Sequence, residues 1–371
     1  MSKRQGFLSV VALASAAFVS LACQPNVVRS EQPDNAPVVE PTPRDPSPIT
    51  IVAVGDIMMG SPFPNDSRMP PNDGKDLFTP FKDALESGDI TFGNLEGPMT
   101  DGGVSAKCGG RPNCFAFRMP TRYGQYLKDA GFDVMGVANN HAGDFGEEGR
   151  LSTLKTLDSL GIKHAGTLTA GGATAYLTAR GKKVAVIGFG HNLGMPSINN
   201  LENARQLVLE AKKNADIVIV SYHGGGEGTD HQHVVKGHDI FLGEDRGDLP
   251  AFTHTVIDAG ADLVLGHGPH VMRGMEIYKG HLIEYSMGNF CTYGWFGLAA
   301  ETALTEVLEI KIAADGKFIS AKIHPGKQEG RGGPIPDPSK ASIGVLRNLS
   351  TTDFGANAPK IDDEGNVTPP K

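Results

Sequence analysis

Short apolar runs alternate with amphipathic segments over most of this chain, which restricts the folds open to it. Residues 183–189, which read KVAVIGF, and residues 217–222, which read IVIVSY, are separated by a segment with helical spacing at 201–214. Runs that are apolar at nearly every position are typical of strands covered on both faces by helices. The order of these elements therefore predicts an α/β fold.

The same patterns place the remaining elements. They predict strands at 49–54 and 133–137 and helices at 79–87, 122–130, 149–160 and 250–259. Residues 304–312 and 317–324, joined by the tetrapeptide Ala-Ala-Asp-Gly, predict a β-hairpin. The Gly/Pro-rich chain from Gly326 predicts a segment that wraps the surface, followed by a flexible tail at 355–371.

The amino terminus has the pattern of an export signal. Lys3 and Arg4 precede an apolar stretch, Phe7 to Val19, that is too short to span a membrane as a stable helix. Small residues then lead to Ala22 and Cys23. We therefore expect residues 1–22 to be a signal peptide and the protein to be exported to the cell envelope.

Cys23 resembles the lipid-modified cysteine of bacterial lipoproteins, and we expect it to anchor the protein to a membrane. Ordinary cleavage after Ala22 is the alternative, since Ser20 stands where the lipoprotein motif prefers Leu. The lipid anchor is favoured because residues 23–48 contain seven prolines and no periodicity, as in an extended tether. The folded domain is expected at 49–354.

Charge and cysteine usage narrow the functional classes. The formal net charge is -8, and removal of Lys3 and Arg4 with the signal peptide makes it -10, a poor match to nucleic acid. Cys108 and Cys114 lie six residues apart in a Gly/Pro-containing loop, and an exported protein favours a disulfide between them. Cys291 is expected to be a buried, unreactive thiol.

Five predicted strands end in residues with metal-binding side chains. These ends are Gly55-Asp56, Gly93-Asn94-Leu95-Glu96, Asn139-Asn140-His141, His223-Gly224-Gly225 and Gly266-His267-Gly268-Pro269-His270. In α/β sheets the carboxyl ends of the strands form the site, and this mixture of carboxylate, amide and imidazole suits one or two divalent metal ions.

Each residue also has a structural explanation. Asp56 could cap a turn, Glu96 could be a solvated loop acid, Asn140 could occupy a left-handed turn and His223 could be a core histidine. The coincidence of five such ends favours a single metal site. A further group of histidines in a polar segment is expected to lie on the surface: His231, His233 and His238.

Seven segments resemble a known protein family. In order they read VGDIMMG, GNLEGPMT, FRMP, AGFDVMGVANNHAGDFG, SYHGGGE, AGADLVLGHGPHV and YSMGNF. They resemble the CapA family of capsule (poly-γ-glutamate) synthesis proteins, which belongs to the calcineurin-like metallophosphoesterase superfamily. The resemblance covers residues 49–354 and implies a four-layer α/β/β/α sandwich with metal ions at the strand ends.

The resemblance also implies roles for individual residues. The implied metal ligands are Asp56, Glu96, Asn140, His223, His267 and His270, with His141 as the catalytic general acid. Arg118, Asp144 and Asn289 are expected to contact an anionic substrate. The chain departs from the superfamily pattern at Met58, where a histidine is usual, and in the spacing of His267 and His270, which are three residues apart instead of two.

The resemblance leaves three functions open. One is a hydrolase or transferase that uses a divalent ion, Mn, Zn, Fe or Mg, on an anionic polymer such as poly-γ-glutamate. Another is an accessory protein that binds the polymer without cleaving it, within a capsule synthesis or export complex. The third is a metal-dependent phosphoesterase unrelated to capsule.

Overall fold

The apolar runs of the sequence form two stacked β-sheets in the computed structural model, which describes residues 47–105, 107, 115–169 and 172–371. Within these ranges the strands are β1 Ile49–Met58, β2 Ile90–Leu95, β3 Val134–Gly136, β4 Lys163–Ala165, β5 Thr174–Ala179, β6 Lys182–Gly190, β7 Ile217–His223, β8 Ile240–Phe241, β9 Glu244–Asp245, β10 Leu263–His267, β11 Met275–Tyr278, β12 His281–Glu284, β13 Asn289–Thr292, β14 Leu304–Ile312, β15 Phe318–Gln328, β16 Pro334–Pro336, β17 Lys360–Ile361 and β18 Asn366–Thr368. The α-helices are α1 Lys82–Leu85, α2 Gly124–Asp129, α3 Gly146–Ser159, α4 Leu201–Asn214, α5 Leu249–Asp258 and α6 Ala341–Phe354.

The first sheet has a parallel centre and an antiparallel edge. Its strands lie in the order β17-β18-β15-β14-β1-β2-β3-β4, and β13 and β16 pair with β1 and β15 respectively. Strands β1 to β4 are parallel to one another, whereas β14, β15 and β18 are antiparallel to their neighbours. The carboxyl ends of strands β1 to β4 therefore lie side by side at the same end of the sheet.

The second sheet also combines parallel and antiparallel strands, in a different arrangement. Its order is β11-β12-β10-β7-β6-β5, with parallel strands β12, β10, β7 and β6 in the middle and an antiparallel strand on each side. The register sets His223 of β7 beside His267 of β10 at the end of their ladder.

Three hydrophobic clusters separate four layers. The middle cluster lies between the sheets and includes Ile51 of β1 and Ile219 of β7. A second cluster joins the outer face of the first sheet to α1, α2 and α3, and a third joins the outer face of the second sheet to α4 and α5. Each fully buried Val, Leu or Ile side chain in these layers contributes roughly 1.5–3 kcal/mol. The predicted four-layer α/β/β/α sandwich is confirmed.

The predicted elements inside the domain are mostly present. The strands at 183–189 and 217–222 are β6 and β7, the helix at 201–214 is α4, and the hairpin is β14 with β15. The predicted helix at 79–87 is shorter, because a 3-10 turn at Thr79–Phe81 precedes the single turn of α1.

The carboxyl-terminal segments differ from the prediction. Helix α6 covers part of the region expected to be an irregular surface segment, and its Ile343 and Leu346 belong to the cluster between the sheets. Residues 355–371 are not a flexible tail in this structure, because β18 pairs with β15 and buries Val367. A short strand with one apolar residue gives little periodicity, so the sequence alone did not reveal it.

The expected signal peptide, Cys23 and nearly all of the tether lie outside the described residues, and so do Cys108 and Cys114. Over the ranges that the structure describes, we find no helix whose length and apolar character would let it cross a lipid bilayer. Cys291 is fully buried with a free thiol, as expected, and burial raises its pKa.

Candidate metal centre

Side chains from both sheets converge where their parallel strands end. Asp56 lies near the end of β1, and Glu96 directly follows β2. His223 and His267 are the last residues of β7 and β10, and His270 lies in the turn after β10. All five side chains are buried. The two sheets therefore contribute opposite walls of one polar site within an apolar interior.

Asp56 is held between two imidazoles. Its Oδ1 lies 3.3 Å from Nδ1 of His267, and its Oδ2 lies 3.0 Å from Nδ1 of His270. The side chain of Asn94 donates a hydrogen bond of 2.8 Å to Oδ1. The neighbouring Gly55 permits this placement, since a Cβ at that position would lie 2.1 Å from the carbonyl oxygen of Gly288.

Glu96 faces the same histidines from β2. Its Oε1 lies 3.5 Å from Nε2 of His270 and 4.0 Å from Nε2 of His223. Ligand atoms of Asp56, Glu96 and His270 all lie within 4.8 Å of one another. One oxygen or nitrogen atom from each residue can therefore reach a common ion.

Several polar atoms at this site have no hydrogen bond within the described part of the chain, although they are fully buried. They are both carboxylate oxygens of Glu96, Oδ2 of Asp56, Nε2 of His223 and both ring nitrogens of His267; Oδ1 of Asn140 is also buried without a hydrogen bond, but no contact among the described residues joins it to this cluster. A buried polar group without a partner costs about 1–3 kcal/mol, and a charged one costs more. Carboxylate, imidazole and amide atoms of this kind are the ligands of divalent ions, so the residues present fit a metal.

The ionisable groups of the site perturb one another strongly. Burial raises the pKa of Glu96 to about 8. Burial alone raises the pKa of Asp56, but hydrogen bonds from His267 and His270 hold it below its usual value. Burial lowers the pKa of His270, and the carboxylates of Glu96 and Asp56 outweigh this effect and raise it to about 10. The charge of His270 opposes the rise in the pKa of Glu96, and that of Lys107 does so more weakly.

His223 is kept in the form that binds metals. Burial lowers its pKa well below the usual value, so its imidazole is neutral at pH 7. Neutral imidazole is the state in which histidine coordinates an ion.

His270 adopts an unusual backbone conformation. Its φ is +58°, which few non-glycine residues adopt. Its Nδ1 lies between Asp56 and the carboxamide oxygen of Asn289, at 3.1 Å from the latter. The strained conformation turns Nε2 toward Glu96, which favours a functional explanation for the strain.

The expected general acid, His141, lies beside the metal site. Its Nδ1 is 2.6 Å from Oδ2 of Asp144, and its ring stacks on Phe117 at a centroid distance of 3.8 Å. If Nδ1 carries a proton, it donates a hydrogen bond to Asp144. Nε2 is then the ring nitrogen that can interact with a substrate. Burial lowers the pKa of His141, and the charge of Asp144 opposes this effect.

Asp144 has protein partners on both carboxylate oxygens. Oδ2 binds His141 and also accepts a 2.7 Å hydrogen bond from the backbone N–H of Phe117, while Oδ1 lies 2.6 Å from Nζ of Lys107. We predicted from the sequence that Asp144 contacts substrate. Because Asp144 is buried and its carboxylate contacts His141, we assign it a role in positioning that imidazole and not in contacting substrate.

Asn289 is likewise engaged with the protein. Its carboxamide nitrogen donates to the carbonyl oxygens of His270 and Thr302, at 3.2 and 3.3 Å. It is fully buried, so it orients His270 and has no face free for a polymer. The predicted substrate contact is therefore replaced by a positioning role.

Arg118 lies apart from this cluster. Its guanidinium carbon is 5.4 Å from the ring centroid of Phe145 and 5.7 Å from that of Phe63. It lines a surface pocket of about 510 Å³ together with Asp66, Asp101 and other residues. Nothing in this placement tests whether it binds substrate, and that role stays a prediction.

Other residues at the site were not singled out from the sequence. Asn94 links Asp56 to Asn139, whose side chain donates to Asn94 at 3.2 Å. Lys107 donates to the backbone carbonyl of Asn140 at 3.1 Å. Asn94 stands in the strand end Gly93-Asn94-Leu95-Glu96 and in the motif segment GNLEGPMT, which were the signals available for it.

The polar segment with three histidines behaves as a surface segment. His233 pairs with Asp353 at 2.7 Å, and His238 pairs with Asp245 at 2.9 Å. Both imidazoles are exposed, and His231 is partly buried. The prediction that these histidines lie at the surface agrees with the structure.

The chain is similar in sequence to known proteins. The chain is 29% identical over 313 residues to the protein y4sH of Sinorhizobium fredii, and the match spans 65% of each chain, somewhat less than two thirds of that relative's length. It is 26% identical over 342 residues to the capsule biosynthesis protein CapA of Bacillus anthracis, covering 86% of this chain and 78% of that one.

A solved structure of similar shape is a putative 5'-nucleotidase from Staphylococcus aureus, with a TM-score of 0.43 and 14% identity over 82% of this chain and 58% of that chain. The model of the family described as bacterial capsule synthesis protein PGA_cap matches residues 50–293, which include every candidate ligand named above. The chain therefore belongs to the bacterial capsule synthesis protein PGA_cap family.

Proposed function

We propose that this protein carries a divalent metal centre of hydrolase type and acts on an anionic polymer of the poly-γ-glutamate kind during capsule synthesis or export. The observation that carries the proposal is the carboxylate of Glu96, which is buried beside Asp56 and His270 without a hydrogen bond in the described ranges. The name of the Bacillus anthracis relative, a capsule biosynthesis protein, supports a role in capsule synthesis.

The residues of the proposed site have different roles in the reaction. The ion, of which Mn, Zn, Fe and Mg are candidates, would be held by Asp56, Glu96, Asn140, His223, His267 and His270. A divalent ion supplies hydroxide at neutral pH and stabilises oxyanion charge. In its imidazolium form, with Nδ1–H hydrogen-bonded to Asp144, His141 donates the Nε2 proton to the leaving group and becomes neutral imidazole.

A second candidate function is polymer binding without cleavage. Met58 is fully buried at the position where the resemblance implies a histidine, so a thioether replaces one imidazole donor there. A centre with one ligand fewer holds a second ion less tightly. This favours a weakened or lost catalytic activity, with the site retained for binding an anionic polymer.

The two functions are separated by metal content and turnover in matched variants. Asp56→Ala is expected to lose bound metal and any hydrolysis of γ-glutamyl or phosphoester substrates. His141→Ala is expected to keep the metal and lose turnover. His254→Ala, which removes the surface partner of Glu276, is the control and keeps both.

Unchanged metal content in Asp56→Ala would refute the metal assignment. Wild-type protein that binds metal but hydrolyses nothing, together with normal capsule formation in cells carrying His141→Ala, would favour the binding function.

We also propose that the protein is exported and anchored through a lipid on Cys23. An exported, membrane-anchored protein would meet the capsule polymer on the outer side of the membrane. In fractionated cells, Cys23→Ser is expected to move the protein from the membrane to the soluble extracytoplasmic fraction, with Ser20→Ala as the control. Retention of Cys23→Ser in the membrane would contradict the anchor.

A further inference from the structure

The loop after β7 is bonded tightly to the turn that carries the histidine ligands. The backbone N–H of Gly224 donates to the carbonyl oxygen of His267 at 2.9 Å, and that of Gly228 donates to Pro269 at 2.9 Å. The loop between these anchors contains Glu227. Its backbone is therefore fixed relative to the metal centre at both ends.

The glycines of this loop are required by close packing. A Cβ on Gly226 would lie 2.4 Å from Nδ1 of His231, and one on Gly224 would lie 2.7 Å from the carbonyl oxygen of Arg246. Gly225 has a φ of +86°, which disfavours any other residue. The backbone of the Gly-Gly-Gly run that precedes Glu227 is therefore packed too closely against neighbouring residues to accommodate side chains.

Glu227 uses only part of its carboxylate within the protein. Its Oε1 accepts a 2.8 Å hydrogen bond from NH1 of Arg246, while Oε2 has no such bond to any residue that the structure describes. The side chain is 27% exposed. One carboxylate oxygen is therefore open to a ligand.

Arg246 does not need Glu227 for charge balance. It is buried, and its Nε donates to Glu244 at 2.9 Å on the opposite side. Glu244 is half exposed and also lies 3.5 Å from Nε2 of His191. Because one carboxylate already neutralises the guanidinium, the second carboxylate calls for another explanation.

The charge of Glu227 acts on the metal centre. Burial alone raises the pKa of Glu227, but the charges of His270 and Arg246 outweigh it and lower that pKa, with His270 the stronger of the two. In return, the charge of Glu227 raises the pKa of Glu96 and of His270. The geometric support for this position is the loop itself, whose Gly224 and Gly228 N–H groups bond to the turn that carries His267 and His270.

We propose that Glu227 binds the free ammonium group at the amino end of a γ-glutamyl chain, so that the site accepts chain ends in preference to chain interiors. This inference rests on the proposed function. The interior of such a polymer presents carboxylates and neutral amides, and a fixed carboxylate repels the former. The terminal ammonium is the cationic group that the chain offers, and it pairs with an open carboxylate oxygen.

The test is calorimetric binding of two probes to the metal-loaded full chain. One probe is a γ-linked glutamate dipeptide with a free amino group, and the other is its N-acetylated form. Wild-type protein is expected to bind the free form about fivefold more tightly, the ratio expected for a partly exposed ion pair. Glu227→Gln is expected to abolish this preference, and the control Glu244→Gln is expected to retain it. Metal content is measured in all three proteins.

Several results would overturn the inference. Equal binding of both probes by wild-type protein would refute the proposed contact between Glu227 and the ammonium group. A preference that persists in Glu227→Gln would also refute it. Neither result would contradict the proposed function. Loss of the preference in Glu244→Gln, or loss of metal in Glu227→Gln, assigns Glu227 a structural role. Metal-loaded protein that binds neither probe overturns the γ-glutamyl substrate and this inference together.

Discussion

At the scale of single residues, the metal centre depends on groups whose burial is unfavourable without an ion. Glu96 offers two carboxylate oxygens to an interior in which the described residues provide no donor for them. Asp56, by contrast, has Asn94 and two imidazoles as partners. The motif GNLEG identified Glu96 as a candidate ligand, but its lack of partners is a property of the folded chain.

The sequence identified residue types better than residue roles. The prediction places Asp144 and Asn289, which stand in the segments AGFDVMGVANNHAGDFG and YSMGNF, among the substrate contacts. In the structure each one holds an imidazole, His141 or His270. Which of two neighbouring polar side chains faces the cleft depends on loop conformation, and residue spacing does not determine this.

The substitution Glu96→Gln tests the residue whose burial is least compensated. It keeps the side-chain size and removes the charge, so metal affinity is expected to fall more than tenfold. At pH 9 with a chelator, above the Glu96 pKa of about 8, the free energy of unfolding is expected to rise by about 1–3 kcal/mol, since a buried charge without a hydrogen bond is replaced by a neutral amide. Metal analysis and urea denaturation measure the two effects.

Glu276→Gln is the matched control for that substitution. Glu276 is also buried, but it accepts hydrogen bonds from Tyr285 and Asn357 and pairs with His254. Its substitution is expected to leave metal binding unchanged and to destabilise the protein by about 1–3 kcal/mol. A loss of stability in both variants would contradict the proposal that the Glu96 carboxylate binds a metal ion.

A second pair of buried acids predicts a pH dependence of stability. Glu284 and Glu306 are fully buried, and neither carboxylate has a hydrogen bond within the residues described. Burial raises the pKa of Glu306 to about 8, and burial together with the charge of Glu306 raises that of Glu284 well above its usual value.

A carboxyl whose pKa is higher in the folded state binds more protons there than in the unfolded chain. The stability it contributes is complete below the unfolded pKa near 4.5 and is lost as the pH rises to about 8. Glu306→Gln is expected to reduce this loss, by up to about 1.4 kcal/mol per pH unit for one proton.

Urea denaturation with a chelator at pH 5 and pH 8 measures the effect of Glu306→Gln. Glu309→Gln, on the same strand and paired with His324, is the control and is expected to keep the wild-type dependence. An equal slope in Glu306→Gln and wild type would show that Glu306 is ionised in both states.

At the scale of elements, apolar strands were predicted well and polar or short elements were not. Strands β6 and β7 are apolar at nearly every position because helices and the other sheet cover both of their faces. Helix α6 has serines and threonines along much of its length, and it is helical because Ile343 and Leu346 pack between the sheets. Tertiary packing of this kind leaves little trace in local propensity.

The strand β18 gives a prediction at this scale. Val367 is fully buried where β18 pairs with β15. Val367→Ala is expected to lower the free energy of unfolding by about 2 kcal/mol, through two lost methyl groups and the cavity that they leave. Lys360→Ala, an exposed change on the neighbouring strand β17, is the control and is expected to change little. Equal stability of the Val367→Ala variant and wild type would show that this segment is not docked.

At the scale of the whole molecule, the four layers bring ligands together from opposite sheets. Asp56 and Glu96 belong to one sheet, and His223 and His267 belong to the other. An ion bound to all four links the sheets, and it binds only the folded chain. Its binding is therefore expected to stabilise the fold by about 2.7 kcal/mol at a free ion concentration a hundred times the Kd.

Chelation tests this coupling. Removal of the ion is expected to lower the Tm of the wild-type protein, and addition of Mn²⁺ or Zn²⁺ is expected to restore it. The variant His223→Ala, which removes a ligand from the second sheet, is expected to lose most of this response, whereas His238→Ala at the surface keeps it. The same response in both variants would place the ion elsewhere.

The central claim is that these side chains share a cation, and anomalous X-ray diffraction from crystals grown with Mn²⁺ or Zn²⁺ tests it most directly. The account predicts an anomalous peak between Asp56, Glu96 and His270, at about 2.0–2.2 Å from their ligand atoms. Well-ordered crystals with no peak at that position, or with peaks only at surface histidines, would contradict it.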